Sequence, residues 1–313
     1  MGKKITEVLS IAYPILQGGM AWISDAKLAA AVSNAGGAGI ISAGGRTGEY
    51  VREQIRLART LTDKPFGVNL QLMARNNDEI VEVICEEKVA FVTMGAGNPI
   101  PFFERLHGAG VKCVPIVPNL KLAKRVEAAG ADAMVIEGME AGGHIGVLTT
   151  MPLMTQVLPE ISIPVVVAGG FADGRGLAAA LLMGAAGVQM GTRFLVAEEC
   201  AVHENVKQKL LEAVDTDTIV AGQTIGHAIR GIKNPFALEY VALERKGTPE
   251  AELLDIMRGK NRLSAVDGDI ENGMVLAGQS LLPLKKIEPV KAIVDAIVKE
   301  ARETLQSAGK IQL

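Results

Sequence analysis

Short apolar runs alternate with stretches of helical periodicity through roughly the first two-thirds of the chain. The runs at 14–17, 38–42, 66–70, 89–94, 111–117, 133–137, 165–168 and 187–190 are mostly apolar on both faces, the pattern of strands buried in a parallel sheet. Between them, 25–35, 49–60, 77–87, 100–109, 120–129, 151–158 and 176–183 repeat apolar residues at helical spacing. Asp25, Asn77 and Asn119 are predicted N-caps, and Gly36, Gly110 and Gly130 predicted helix stops. Eight strands, each followed by a helix, is the count of an α/β TIM (β/α)8 barrel; a doubly wound sheet usually needs fewer strands. The strand ends favour the barrel. Gly18-Gly19, Ser42, Asn69, Thr93, Glu137, Gly169-Gly170 and Gly191-Thr192 all fall there. A barrel would gather them on one face, where active sites lie.

After Arg193 the rhythm breaks. Helix-like segments at 203–213 and 249–258 are joined through GQTIGHAIRGIKNPF with no further βα repeat. The chain is therefore divided into a barrel core over 1–197, a smaller inserted substrate or lid region over 198–280, and a C-terminal segment over 281–313. The amphipathic helix of that last segment, 288–306, is expected to pack back on the barrel. An ordinary extension on the barrel's side is the alternative for the middle segment.

Composition narrows the class. An apolar fraction of 49% with 35 glycines over 313 residues suits a compact α/β protein with many tight loops. No apolar run reaches the length of a membrane span, and the N-terminus MGKKITEVLS lacks a signal-peptide core. Cys85, Cys113 and Cys200 lie far apart, with no CxxC pair or zinc-like cluster. A soluble, reduced, cytoplasmic protein is expected, with no metal site. The net charge of −3 and pI near 5.9 argue against bulk nucleic-acid or anionic-membrane binding.

Candidate chemistry concentrates after the sixth strand. The run stops at Glu137 and enters a loop with Gly138, Gly142, Gly143 and Gly146 around one histidine, His144. Histidine exchanges protons near neutral pH, and a strand-end loop is where a barrel puts its catalysts. Taken alone, a glycine-rich turn with an incidental histidine reads equally well. The next two units, VVVAGGFADGRGLAAALLMGAAGVQMGTRF, place Gly169-Gly170 and Gly191-Thr192 between strand and helix. That is the position of the phosphate site recurrent in such barrels. Two such turns in adjacent units outweigh the alternative that small residues only permit tight loops. Asn69, Glu137 and Gln279 would suit a flat heterocycle with amide edges. Gly95-Ala96-Gly97 fails as a dinucleotide fingerprint because Pro99 intrudes and position 100 is Ile.

QGGM at 17–20, GVNL at 67–70, EGMEAGGHIG at 137–146, AGGFADGRG at 168–176 and GTRF at 191–194 together resemble the nitronate monooxygenase superfamily. GHAIRGIKN at 226–234 and NGMVLAGQS at 272–280 extend the match, within that superfamily, to the type II, FMN-dependent enoyl-acyl-carrier-protein reductases. The resemblance implies FMN at the barrel mouth. Gly169, Gly170, Gly191 and Thr192 would hold its phosphate; Gly19, Met20, Asn69 and Glu137 would border its ring and ribityl chain. Gly142 and Gly143 would lie close by, Gln279 and Ser280 would approach from the late segment, and His144 would be catalytic. It further implies a ping-pong relay, in which NADH or NADPH and then a trans-2-enoyl thioester take turns at one flavin face. The thioester would ride on an acyl carrier protein, which the basic residues Arg258, Lys260 and Arg262 could meet, although a solvated helix end is the stronger reading of that cluster. A homodimer and activation by a monovalent cation stay open. Many nitronate oxidisers carry Arg after the histidine, whereas Ile145 stands here as in the reductases. Position 147, often polar in the reductases, is Val147. A nitronate monooxygenase is the nearest rival. An inosine-monophosphate-type dehydrogenase would need a cysteine that this loop lacks, and a non-enzymatic ligand-binding barrel is the rival of another class.

Overall fold

The computed structural model describes residues 4–311. Eight parallel strands form the wall: β1 (Ile15–Gln17), β2 (Gly39–Ser42), β3 (Phe66–Gln71), β4 (Phe91–Gly95), β5 (Lys112–Val117) and β6 (Met134–Glu137). After a two-residue strand, β7 (Gly143–His144), come β8 (Val165–Ala168) and β9 (Gly187–Met190). The pairing order β1-β9-β8-β6-β5-β4-β3-β2 is closed by a parallel bridge from Leu16 to Ala38, giving the predicted TIM barrel. Each predicted barrel strand is present, its ends shifted by at most two residues.

Apolar alternation explains the two layers. Leu16, Ile40, Phe91, Val114, Val135 and Val166 meet inside the barrel, and the helix Ile5–Leu9 adds Ile5 and Leu9 to the same cluster. Gly67 leaves room for the Phe91 ring, which a Cβ there would strike. A larger cluster fills the space between the strands and the outer helices. The helix starts follow local chemistry: Asp25 Oδ1 accepts from the N–H groups of Lys27 and Leu28, and Asn119 Oδ1 from Leu122. Asn77 is a correction. It lies inside the helix Asn77–Glu87, after Asn76 at the N-cap, and its Nδ2 instead donates to the carbonyls of Leu72 and Ala74.

Only one turn of helix, Thr192–Leu195, follows β9. The helix Val290–Ala308 fills the missing place in the outer ring, between Gly174–Leu182 and Ala26–Asn34. Arg193 Nη2 bonds Glu288 Oε2 at 3.0 Å, and Gly174 N–H bonds Glu300 Oε2 at 2.7 Å, fastening that helix just before its start and at its middle.

The late segment holds strands that its periodicity does not reveal. β10 (Thr218–Ala221) and β11 (Ile229–Ile232) pair antiparallel, and β11 pairs again with β7, Ile229 opposite His144 and Arg230 opposite Gly143. The helices Pro235–Arg245 and Glu250–Met257 pack over this small sheet through Phe236, Tyr240, Leu253 and Met274. At the opposite end of the barrel, the sulfur of Cys113 lies with donors of His107 and Asp132 within 4.8 Å of one another. Asp132 is already engaged there by Cys113 N–H, His107 Nε2 and Lys112 Nζ, and burial pushes the Cys113 thiol up to about 12. The group reads as a latch between β5 and β6. Among the described residues no helix is long and apolar enough to cross a membrane.

Candidate functional site

A cleft of about 230 Å³ opens at the carboxyl ends of the strands. Gly19, Met20, Asn69, Glu137, Gly142, Gly143, His144, Gly169, Gly170, Gly191, Thr192 and Ser280 all line it. Gln279 does not: its side chain is exposed, and its contribution is a main-chain N–H donated to Glu140 O at 2.9 Å.

At one end of the cleft, β8 runs into Gly169 and Gly170, whose φ values of 94° and 87° are left-handed. A Cβ on Gly169 would stand 2.8 Å from Gly138 O, so the turn after β8 lies hard against the turn after β6. Thr192 Oγ1 accepts from Gly278 N–H at 2.9 Å, which leaves its hydroxyl hydrogen free to donate. At the other end, a Cβ on Gly19 would run into Asn69 Cβ. Asn69 is only 9% exposed; its Nδ2 donates to Thr93 Oγ1 at 3.0 Å, and that bond fixes the amide.

Sequence reasoning missed Gln189. It lines the cleft from β9 at 6% exposure, and its Oε1 has no hydrogen-bond partner among the described residues. A buried amide oxygen without a donor is costly unless a ligand supplies one. The signal was a single polar residue inside the apolar run GVQM. Phe171 and Asn261 also line the cleft without having been singled out.

The loop carrying His144 is held on three sides. Its strand β7 pairs with β11, and Ile145 N–H adds a bond to Ala228 O at 3.0 Å. Arg230, buried on β11, reaches across to Met139 O with Nε and to Thr218 Oγ1 with Nη1, both at 2.9 Å. Glu140 accepts from Thr150 N–H at 3.0 Å and from its hydroxyl at 2.8 Å. Finally, Gly142 and Gly278 meet backbone to backbone: a Cβ on Gly278 would stand 2.6 Å from Glu140 O, and one on Gly142 2.7 Å from Gly278 N.

Two titratable side chains on the cleft wall, Glu137 and His144, have no side-chain hydrogen-bond partner among the described residues. Desolvation pushes the Glu137 carboxyl up to about 8. Desolvation, and secondarily His227, holds the His144 imidazole below its usual range, although the residue as a whole is exposed to solvent. Both shifts act in the same direction, toward a protonated carboxyl and a neutral imidazole. Val147 projects into solvent and lines neither this cleft nor its neighbour. Of the basic trio, Arg258 pairs with Asp255 and Arg262 with Asp267, while Lys260 lies over the Phe236 ring.

The nitronate monooxygenase family matches residues 3–81 and 73–300. The solved FabK of Thermotoga maritima shares 44% identity and superposes with a TM-score of 0.95, covering 99% of this chain and all of that one. A (3aS,4S,5R,7aS)-5-hydroxy-7a-methyl-1-oxo-octahydro-1H-indene-4-carboxyl-CoA dehydrogenase of Rhodococcus jostii is 32% identical over 98% of both chains. A probable nitronate monooxygenase of Staphylococcus haemolyticus is 33% identical over 96% of this chain and 98% of its own. The chain belongs to the nitronate monooxygenase family, and is a flavin-type oxidoreductase.

Proposed function

We propose that this protein is an FMN-dependent enoyl-acyl-carrier-protein reductase, which uses NADH or NADPH to reduce trans-2-enoyl thioesters. The observation that carries the reading is that Glu137 and His144 both line the cleft of a chain that superposes on FabK over its whole length at 44% identity. Reducing an enoyl thioester consumes a proton at Cα and builds negative charge on the thioester oxygen. An imidazole N–H and a protonated carboxyl lining the same cleft would supply a donor for the second and a proton for the first. The similarity to FabK over the whole chain, and to a relative named for a carboxyl-CoA substrate, supports a thioester as the ligand.

The residues present fit FMN. The left-handed turn at Gly169-Gly170 and the free hydroxyl hydrogen of Thr192 would take its phosphate. The orphaned Oε1 of Gln189, with Asn69, would receive the donor edge of a flat heterocycle. When bound, the flavin supplies the hydride chemistry that no side chain of the chain can perform. His144 then orients the thioester through its carbonyl oxygen, and Glu137 holds the proton that the product takes up. The late segment, stitched to the loop through β7 and Gly278, holds the His144 loop at the cleft.

Nitronate oxidation is the second reading, favoured by the family's name and the staphylococcal relative. A neutral imidazole is also a competent base on a carbon acid. The two separate in steady-state assays of the yellow holoprotein: crotonyl thioester with NAD(P)H against alkyl nitronate with oxygen. The higher kcat/KM is expected with the thioester, and turnover of the nitronate alone would overturn the proposal.

A further inference from the structure

The barrel mouth holds a second cavity, of about 410 Å³, beside the first. The main cleft draws mainly on units one to three and six to eight, whereas this cavity lies over units four to six. The two share Ala96, Ile116, Glu137 and His144, so the reactive pair stands at their junction. Away from that junction the wall is chiefly apolar. Ile100 comes from the loop after β4, Pro118 follows β5, Leu122 and Val126 belong to the helix Leu120–Ala128, and Ile145 adjoins the histidine. A Cβ on Gly146 would stand 2.7 Å from Pro118 Cβ, so the histidine loop closes directly onto this wall. The one charged side chain besides Glu137 is Arg125, exposed on the helix.

We propose that this cavity receives the acyl tail of the substrate and sets which chain lengths the enzyme accepts. The chemistry rests on the enoyl-thioester reading above. A thioester whose reacting carbons sit at His144 must send its alkyl chain onward. The phosphate turns and amide side chains occupy the main cleft, while the neighbouring cavity offers apolar walls that begin at the same histidine. Its volume of about 410 Å³ lies toward the lower end of the roughly 300–1,000 Å³ typical of small-molecule sites, enough for a medium-length chain beyond the first few carbons. Apolar walls select by length, since each methylene taken fully out of water is worth about fourfold in affinity.

The test uses saturated butanoyl, hexanoyl and octanoyl thioesters of N-acetylcysteamine, which have no double bond to reduce, titrated calorimetrically into the flavin-loaded protein. Affinity is expected to rise more than about tenfold from butanoyl to octanoyl. Leu122→Trp and Ile100→Trp, which fill the cavity from different elements, are each expected to flatten that rise; retention of the flavin spectrum reports folding, and either variant alone carries the test. A wild-type affinity independent of chain length, or a rise unaltered by filling, overturns the proposal. Turnover of crotonyl thioester without length dependence would remove the acyl-tail cavity and leave the reductase. Length-dependent binding without any crotonyl turnover would remove the reductase and leave a cavity for acyl thioesters.

Discussion

In the barrel, each strand pairs with those of the units next to it along the chain, and β1 closes the ring against β9 and β2. In the late segment, β11 takes one neighbour from the strand just before it and the other, β7, from the loop after β6, across two later barrel strands. The first arrangement is repetitive and needs only βα units. The second is non-local, and it is the one that positions His144. Under the proposed function, turnover depends on a contact between two parts of the chain that fold by different rules, so damage to that contact should impair turnover while sparing the barrel.

The largest expected effect comes from the loop's own side chain. His144→Ala should lower kcat/KM for an enoyl thioester by about 100- to 10,000-fold with flavin still bound, as read by steady-state kinetics and the flavin spectrum. Next comes the seam. Gly278→Ala forces the 277–279 backbone away from Glu140 O and should cost on the order of 100-fold in kcat/KM through misplacement of the histidine loop. Its thermal unfolding should stay close to wild type, and a large loss of melting temperature would show that the seam holds up the barrel as well.

Glu137 sharpens the comparison through pH. Its carboxyl is about 8 in the fold against an ordinary value near 4.5, so between those values the folded protein keeps a proton that the unfolded chain gives up. Stability is lost progressively as pH rises through that window, and the penalty is constant above it. Glu137→Gln removes the penalty, so its melting temperature relative to wild type should climb from pH 5 to pH 8 and then level off. A flat difference would place the carboxylate in a solvated, ionised state. Wild-type kcat/KM should likewise fall as pH passes about 8 and the proton is lost. The smallest effect is a control within the barrel. Asn119→Ala removes the bond to Leu122 N–H and should cost about 1 kcal/mol in denaturant unfolding, leaving kcat/KM unchanged.

The same contrast decides what could be read in advance. Runs such as VVVA at 165–168 and the helix stops at Gly36, Gly110 and Gly130, each with left-handed φ, show in the sequence because their causes lie within a few residues. Asn76 and Asn77 illustrate the finer limit: two adjacent asparagines differ only in which reaches back to the carbonyls of Leu72 and Ala74. β7 is two residues, Gly and His, with no alternation to detect. β11 contains Arg230 and Gly231, and Arg230 can be buried only because Met139 and Thr218 supply acceptors from elsewhere. Most of the candidate cleft was legible from glycines and polar residues at strand ends. Gln189 was not, because its significance lies in an unpartnered oxygen that only the folded barrel creates.

The central claim, that this cleft reduces enoyl thioesters through a bound flavin, is tested most directly by two half-reactions under anaerobic conditions. The yellow holoprotein is first bleached with NADH or NADPH, then mixed in a stopped flow with crotonyl thioester. A rapid return of flavin absorbance with stoichiometric formation of the saturated thioester is the expected result. Protein that bleaches but stays colourless until oxygen is admitted would contradict it.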